Sequence, residues 1–240
     1  MWTDINCVAI DKLEGLQNQF LRALFATPRS TPLPSLCWES GTLTMNNRII
    51  MKKLLLYHHL VSLGEDTLAK QIANIQSRMG YPGLINECEK FVLVLRLPDI
   101  RRTSLSKQQW KTTVKRRIFL KNKEDLLESI VSKDYKKLDA RKLSAEKFEL
   151  KPYIKSNNLH DSRLIFQSRC KMMKTVKMNF KSNPKFIQEQ WRCSGCLLLD
   201  SQEHLLSCAG YAHLRVGRDL DKDSDLVAYY RSIFKLRTDE

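Results

Sequence analysis

No apolar run in this 240-residue sequence is longer than Phe91–Leu95, far short of the ~20 residues that a membrane-spanning helix needs. No membrane partner is therefore expected. The N-terminal stretch MWTDINCVAIDKLEG has no basic segment followed by an apolar one, so no secretory leader is expected there. Eight glycines and seven prolines are too few for a collagen, a glycine-rich linker or an all-β chain with many tight turns. There is no Gly-x4-Gly-Lys-Ser/Thr phosphate loop and no Gly-x-Ser-x-Gly nucleophile elbow. No two aspartates are adjacent, so the sequence offers no obvious carboxylate pair to hold two ions ~4 Å apart for phosphoryl transfer. Seven cysteines is an odd number and argues against a closed disulfide framework. These absences exclude the commonest enzyme signatures, and no enzymatic activity is expected.

What is present fits a globular protein, with 42% hydrophobic and 8% aromatic residues and a formal charge of +15. The charge is concentrated. Residues 1–100 carry a net +1, residues 101–185 a net +16 and residues 186–240 a net −2. A positive block of this size is the electrostatic footprint of a polyanion partner, RNA or DNA. The plainer alternative is a solvated helical surface. The reduced cysteines point to an intracellular protein, and the clusters Lys115-Arg116-Arg117 and Lys136-Lys137 raise the expectation of nuclear residence. The oligomeric state is not legible.

Hydrophobic periodicity predicts a mainly α fold. Leu13, Leu16, Phe20 and Leu24 recur at helical spacing and are expected on one buried face. Pro28, Pro32 and Pro34 then stop the helix. Ile50, Leu54, Tyr57 and Val61 form a second stripe ending near Gly64. Leu68, Ile72, Ile75 and Met79 form a third, with Gly80 as its C-cap before Pro82. Phe91–Leu97 is expected to end a further helix. In the basic region, Lys107, Lys111 and Lys115 share one helical face, while Trp110, Val114 and Ile118 share another; Leu126, Leu127, Ile130 and Val131 continue the apolar side. Residues 133–158 read as a linker, followed by a helix near Ser162–Met173. Leu226, Tyr229, Ile233 and Leu236 predict a terminal helix capped by Asp223 or Ser224. The alternation Asp219, Asp221, Asp223, Asp225 is no calcium loop, because Leu226 and Ser232 stand where such a loop from Asp221 needs Gly and Glu. The expected organisation is a helical bundle in 1–100, a basic helical linker in 101–185, and a small metal knuckle with a terminal helix in 186–240.

Cys7, Cys37, Cys88 and Cys170 are isolated and read as reduced core thiols. The other three lie in WRCSGCLLLDSQEHLLSC, with spacing C-x2-C-x7-H-x3-C. Cys193 and Cys196 form a knuckle on a tight turn, for which Gly195 can supply a positive φ. A helix beginning at His204 places His204 and Cys208 on one face. Cys193, Cys196, His204 and Cys208 would then complete a tetrahedral Zn²⁺ site with no open position for water, a structural site rather than a catalytic one. His213 competes with His204 for the fourth position, and the usual spacings favour His204. Trp191 and Tyr211 either pack the small metal core or stack on bases, and packing is the commoner outcome for aromatics so close to a metal.

Three stretches together resemble the C-terminal region of non-LTR (LINE-type) retrotransposon reverse transcriptases, downstream of the polymerase palm. LEGLQNQFLRALFATPRSTPLPSLCWESGTLTMNNRIIMKKLLLYHHL is similar to their thumb, with Glu39 and Gly41 leading into the second helix. SRLIFQSRCKMMKTVKMNF resembles the basic helix before their knuckle, and WRCSGCLLLDSQEHLLSCAGYAHLR the knuckle itself. The Tyr-x-Asp-Asp turn of the palm is missing. The resemblance implies a thumb-like bundle, a structural zinc and nucleic-acid binding without polymerase chemistry. Lys107, Lys111, Lys115, Arg116, Arg117, Arg169, Lys171, Lys174 and Lys177 are the candidates for backbone phosphate contacts, which position a nucleic acid without reading its sequence. The alternative is a zinc-stabilised scaffold for acidic protein partners, or a retroelement relic without function.

Overall fold

The computed structural model describes residues 7–29, 31–80, 82–103, 105–132, 146–156, 158–173, 175 and 192–238. Eleven α-helices run through them: α1 Cys7–Phe25, α2 Leu33–Ser40, α3 Met45–Val61, α4 Leu68–Met79, α5 Leu84–Val94, α6 Lys107–Ser132, α7 Pro152–Ser156, α8 Leu159–Arg169, α9 Gln202–Ser207, α10 Ala212–Arg215 and α11 Asp223–Thr238. No strand forms among the described residues; one isolated antiparallel bridge joins Arg192 and Leu199. The fold is mainly α, as the periodicity predicts. None of the described helices is long and apolar enough to cross a membrane.

The described residues group into two compact units, one drawn from 1–19, 41–134 and 140–148, the other from 20–40 and 149–240. This differs from the three-part division expected from charge. Helix α6 carries part of the basic block, yet it packs directly on α3. Its length and its apolar stripe make it a core element, and charge on its outer side does not change that.

In the first unit the core is built by α3, α4, α5 and α6. Leu54 and Tyr57 meet Ala73, Ile85, Cys88, Trp110, Val114 and Ile118. The Trp110 indole is fully buried, and its Nε1–H donates to the Leu54 carbonyl at 2.9 Å, so the ring carries no polar penalty. The start of α3 is fixed by side chains. Thr44 accepts from the Asn47 N–H, while the buried Asn122 of α6 accepts from the Thr44 N–H at 2.9 Å and from Asn47 Nδ2 at 3.1 Å. These bonds satisfy orphan donors of the first turn. At the other end of α3 the buried Lys70 ammonium donates to the Val61 carbonyl, a cation placed at a helix C-terminus. Helix α4 closes on Gly80 at φ 65°, the expected left-handed cap.

These helices, and α1, whose residues 7–19 belong to the first unit and 20–25 to the second, stand where periodicity places them, but two buried faces do not. On α1, Leu13, Leu16 and Phe20 are exposed, and the buried positions are Asn18, Leu21 and Phe25. On α4, Leu68, Ile72, Ile75 and Met79 all lie outside at 47–71% exposure, while Ala73 is buried. Helix α4 meets α3 and α5 through the side carrying the small Ala73, which lets helices approach closely.

In the second unit, α8 closes the end of α1. The Phe25 and Phe166 rings stack with centroids 4.0 Å apart. Arg163 Nε donates to the Leu24 carbonyl at 2.8 Å, and Gln167 Nε2 to the carbonyls of Phe25 and Ala26, so the last acceptors of α1 are satisfied. The expected linker contains a packed turn: Tyr153 of α7 is buried, and its hydroxyl donates to the buried Glu39 carboxylate at 2.8 Å. The rest of that expectation, 133–145 and 157, lies outside the described residues. Helix α8 is shorter than its sequence stripe, ending at Arg169. Helix α11 packs on α8 and buries Val227, Tyr229, Tyr230 and Ile233. The expected cap residues Asp223 and Ser224 lie inside its first turn, where Asp223 and Asp225 face the positive helix end.

Candidate metal centre

The C-x2-C turn is held by its own backbone. The Leu197 N–H donates to the Cys193 carbonyl at 2.8 Å, and the Cys193 N–H to the Leu198 carbonyl at 2.7 Å. The positive φ that such a turn requires falls on Leu197 at 62°, not on Gly195. At Gly195 the constraint is one of space: a Cβ there would stand 3.2 Å from the Tyr211 ring, a tight contact. The second half of the cluster comes from α9. Ser201 caps it by accepting from the His204 N–H at 3.2 Å, which places His204 in the first turn. Cys208 is the residue that ends the helix. The pair is four apart, as the spacing predicts, with the helix starting two residues earlier and stopping just short of the second ligand.

The four donor atoms of Cys193, Cys196, His204 and Cys208 all lie within 4.8 Å of one another. Cys193 Sγ and Cys208 Sγ are 3.7 Å apart, Cys208 Sγ and Cys196 Sγ 3.4 Å, and Cys196 Sγ and His204 Nε2 3.1 Å. Sulfurs at ~2.3 Å from a tetrahedral ion stand about 3.7 Å from each other, so the set fits one small cation. The same separations are far beyond a ~2.05 Å disulfide bond. Among the described residues, then, a Cys3His group able to hold a metal is present, and its histidine is His204; His213 is exposed on α10. Cys193 and Cys208 are buried almost completely, and Cys196 is half-buried. Burial and the neighbouring Cys196 and Cys193 sulfurs push the Cys208 thiol up to about 11. For Cys193, burial opposes ionisation, but the Gly195 N–H, Cys208, Tyr211 and Arg237 together hold it below its ordinary value. Three thiolates crowded out of water repel one another unless a cation sits among them.

Around the ligands stand residues that sequence spacing does not single out. Tyr211 is buried, its hydroxyl 3.0 Å from Ser194 Oγ; it packs the knuckle, the commoner of the two roles expected. Arg215 donates to the Cys208 carbonyl at 2.9 Å and to the Tyr229 hydroxyl at 3.2 Å. Tyr229 in turn donates to the Leu205 carbonyl. Arg237, in the last turn of α11, reaches Asp200, Tyr211 and Cys193. Only an arginine in the last turn of a predicted helix could have drawn attention to this position.

The candidate phosphate-binding side chains divide in two. Lys107, Lys111, Lys115, Arg116 and Arg117 are all exposed on α6, and Lys115 lies 5.7 Å from the Phe119 ring. None of the five has a carboxylate partner among the ion pairs of the described residues. In the second unit, Arg169 Nε pairs with the Glu39 carboxylate at 3.0 Å, and Lys171 stands 3.9 Å from Glu203. Lys174 and Lys177 lie outside the described residues, as does Trp191. The remaining thiols fit the core reading: Cys37, Cys88 and Cys170 are buried and in no disulfide, and burial pushes the Cys88 thiol up to about 12. The side chain of Cys7 lies outside the described residues. Compared with protein-family models, with curated proteins and with solved structures, the chain matches none.

Proposed function

We propose that this chain is a nucleic-acid-binding module with a structural zinc and no chemistry of its own. The observation that carries the reading is the exposed side of α6, where five cations within eleven residues have no carboxylate partner among the described residues. Lysines and arginines without partners attract a polyanion and release its condensed counterions, and they do so without regard to sequence. Zn²⁺ at Cys193, Cys196, His204 and Cys208 would hold the knuckle closed, because four protein ligands leave it no open position. The rigid loop it fixes can present backbone donors or side chains to an unpaired base. The likeness of the thumb, basic helix and knuckle stretches to non-LTR retrotransposon reverse transcriptases supports the same reading, with polymerase and nuclease activity both absent.

A salt titration tests it. Reversing Lys107, Lys111 and Lys115 to Glu should weaken binding to single-stranded RNA, duplex RNA and duplex DNA about equally. It should also flatten log K against log salt by ~0.7–0.9 for each phosphate that is no longer neutralised. Disrupting the knuckle should change preference among the three substrates with a smaller change of slope. An unchanged slope in the lysine variant sinks the reading. The second reading, a zinc-stabilised protein scaffold, is favoured by the exposed stripe Leu68, Ile72, Ile75 and Met79; it would then lead.

A further inference from the structure

The geometry points to Arg237 as the outer-sphere anchor of the metal centre, a guanidinium that ties the Cys193 thiolate to the terminal helix and makes α11 part of the metal-binding module. The inference rests on the metal reading of the Cys3His cluster and extends it to a residue 29 positions beyond the last ligand.

Several interactions converge on this one side chain. Arg237 Nη2 and Nη1 donate to the two oxygens of Asp200 at 2.7 and 3.1 Å, a bidentate fork that only a guanidinium can make. Nε donates to the Tyr211 hydroxyl at 3.1 Å, and the guanidinium carbon is 5.6 Å from the centre of the same ring. Nη2 also donates to Cys193 Sγ at 3.8 Å, within reach of a bond to sulfur. The Asp200 side chain is 0% and the Arg237 side chain 15% exposed, so water screens little of this network. Asp200 follows the knuckle turn, Tyr211 follows Cys208, and Cys193 is itself a ligand. One side chain thus fixes three separate stretches that must be in register for the four donors to converge.

The charges give the arrangement its reason. Three thiolates and a neutral imidazole on a dication leave a surplus of one negative charge, and the buried Asp200 adds another. Arg237 and Arg215, which holds the Cys208 carbonyl, supply two positive charges. The buried group is then neutral as a whole, which is what its removal from water requires. Partners of this kind orient ligands and set metal affinity without touching the metal.

The test uses the full chain and cobalt(II) as a spectroscopic stand-in, with affinity read by chelator competition. Arg237→Met should weaken binding by about 10- to 100-fold and shift the thiolate-to-cobalt charge-transfer band, because the N–H to sulfur bond is gone. Arg237→Lys keeps charge without the fork, and should fall between wild type and Arg237→Met in both readings. Arg231→Met is the control on the same helix: Arg231 pairs with Asp161, away from the cluster, and its loss should leave affinity and spectrum unchanged. If Arg237→Met matches wild type in both affinity and spectrum, the inference fails while the metal reading stands. Equal damage from Arg231→Met also overturns it, since helix docking alone would then be the cause, as does a lysine variant indistinguishable from wild type. A wild-type chain that takes up no cobalt overturns the metal reading and this inference together.

Discussion

Two regions of this chain solve the same problem with different materials. In the first unit, α6 is 26 residues long and buries Trp110, Val114, Ile118, Leu126 and Ile130. The stripe is broken only by Asn122, whose buried side chain bonds the start of α3, so a helix of that length is held mainly by apolar packing and needs no metal. In residues 192–238, α9 has 6 residues and α10 has 4, too short to be stable by themselves. They are organised instead by four metal-type ligands, by charge-assisted bonds from Arg215 and Arg237, and by one long helix. A small region that cannot bury enough apolar surface needs a staple. Because the two regions rest on different forces, the cationic helix and the knuckle should break separately.

The largest effect should come from the metal. Structural zinc contributes about 10–16 kcal/mol of apparent binding free energy in small finger peptides near neutral pH. Chelation, or Cys208→Ser, should therefore abolish amide-exchange protection in α9–α11 while α3 and α6 keep theirs. Loss of protection across α3 and α6 would show that the units do not stand independently, and would break the comparison outright.

The converse break is Trp110→Ala. It removes a fully buried ring and the donor to the Leu54 carbonyl, and large aromatic truncations cost about 3–5 kcal/mol. Urea unfolding followed through α3–α6 should report that loss, while cobalt affinity at the knuckle stays within experimental scatter. A matching fall in metal affinity would contradict the separation from the other side.

How much of the fold and the site is legible in the sequence follows from the same contrast. Periodicity locates α3 and α6 and nearly all of their buried faces, because the stripes there face large neighbours; the exception is Val131 at the end of α6, expected on the apolar side and 69% exposed. It locates α1 and α4 as helices but points to the wrong inner side: a helical stripe marks amphipathicity and says nothing about what lies opposite. Ala73 faces inward on α4, and a small inward residue carries almost no signal in a hydrophobic pattern. The metal cluster is legible because C-x2-C and H-x3-C are local constraints of turn and helix. Asp200, Arg215 and Arg237 are not, since their roles arise from α11 folding back on the knuckle, a long-range event that spacing does not encode. Glycine tolerates a positive φ best, which is why the sequence points to Gly195. The turn places that φ two residues later, at Leu197, and what stands close to Gly195 is the Tyr211 ring.

Gly210→Ala should have an intermediate effect and sharpen the account of the knuckle. A Cβ at Gly210 would run into the backbone carbonyl of Gly195, and backbone cannot move aside as a flexible side chain can. Overpacking of this kind costs about 1–3 kcal/mol. It should appear as weaker metal binding in chelator competition, with no change in the urea midpoint of α3–α6. Gly217, with φ 74° and nothing near its missing Cβ, faces strain without crowding, so Gly217→Ala should do less damage to the metal site than Gly210→Ala. The reverse order would show that backbone conformation, not the close approach of the two turns, limits the knuckle.

The smallest effect, and the one whose sign says most, is Leu197→Gly. Leu197 holds φ at 62°, and its side chain is 64% exposed. A non-glycine residue in the left-handed region costs roughly 1–2 kcal/mol, and an exposed leucine regains little of that by burial. Glycine at the same place adds about 0.5–1 kcal/mol of chain entropy to be lost on folding, so the net gain should be about 1 kcal/mol or less. The turn itself should survive, because its bonds run through the backbone, from the Leu197 N–H to Cys193 and from the Cys193 N–H to Leu198. Metal affinity should therefore rise by at most about fivefold, with the cobalt spectrum unchanged. If nucleic-acid affinity falls in the same variant while the salt slope holds, then the strain at Leu197 serves binding: the leucine is kept at the knuckle tip for the apolar surface it offers, not for the turn. If metal affinity falls instead, the side chain supports the site in a way that exposure does not register, and the knuckle is less purely a backbone device than its hydrogen bonds indicate.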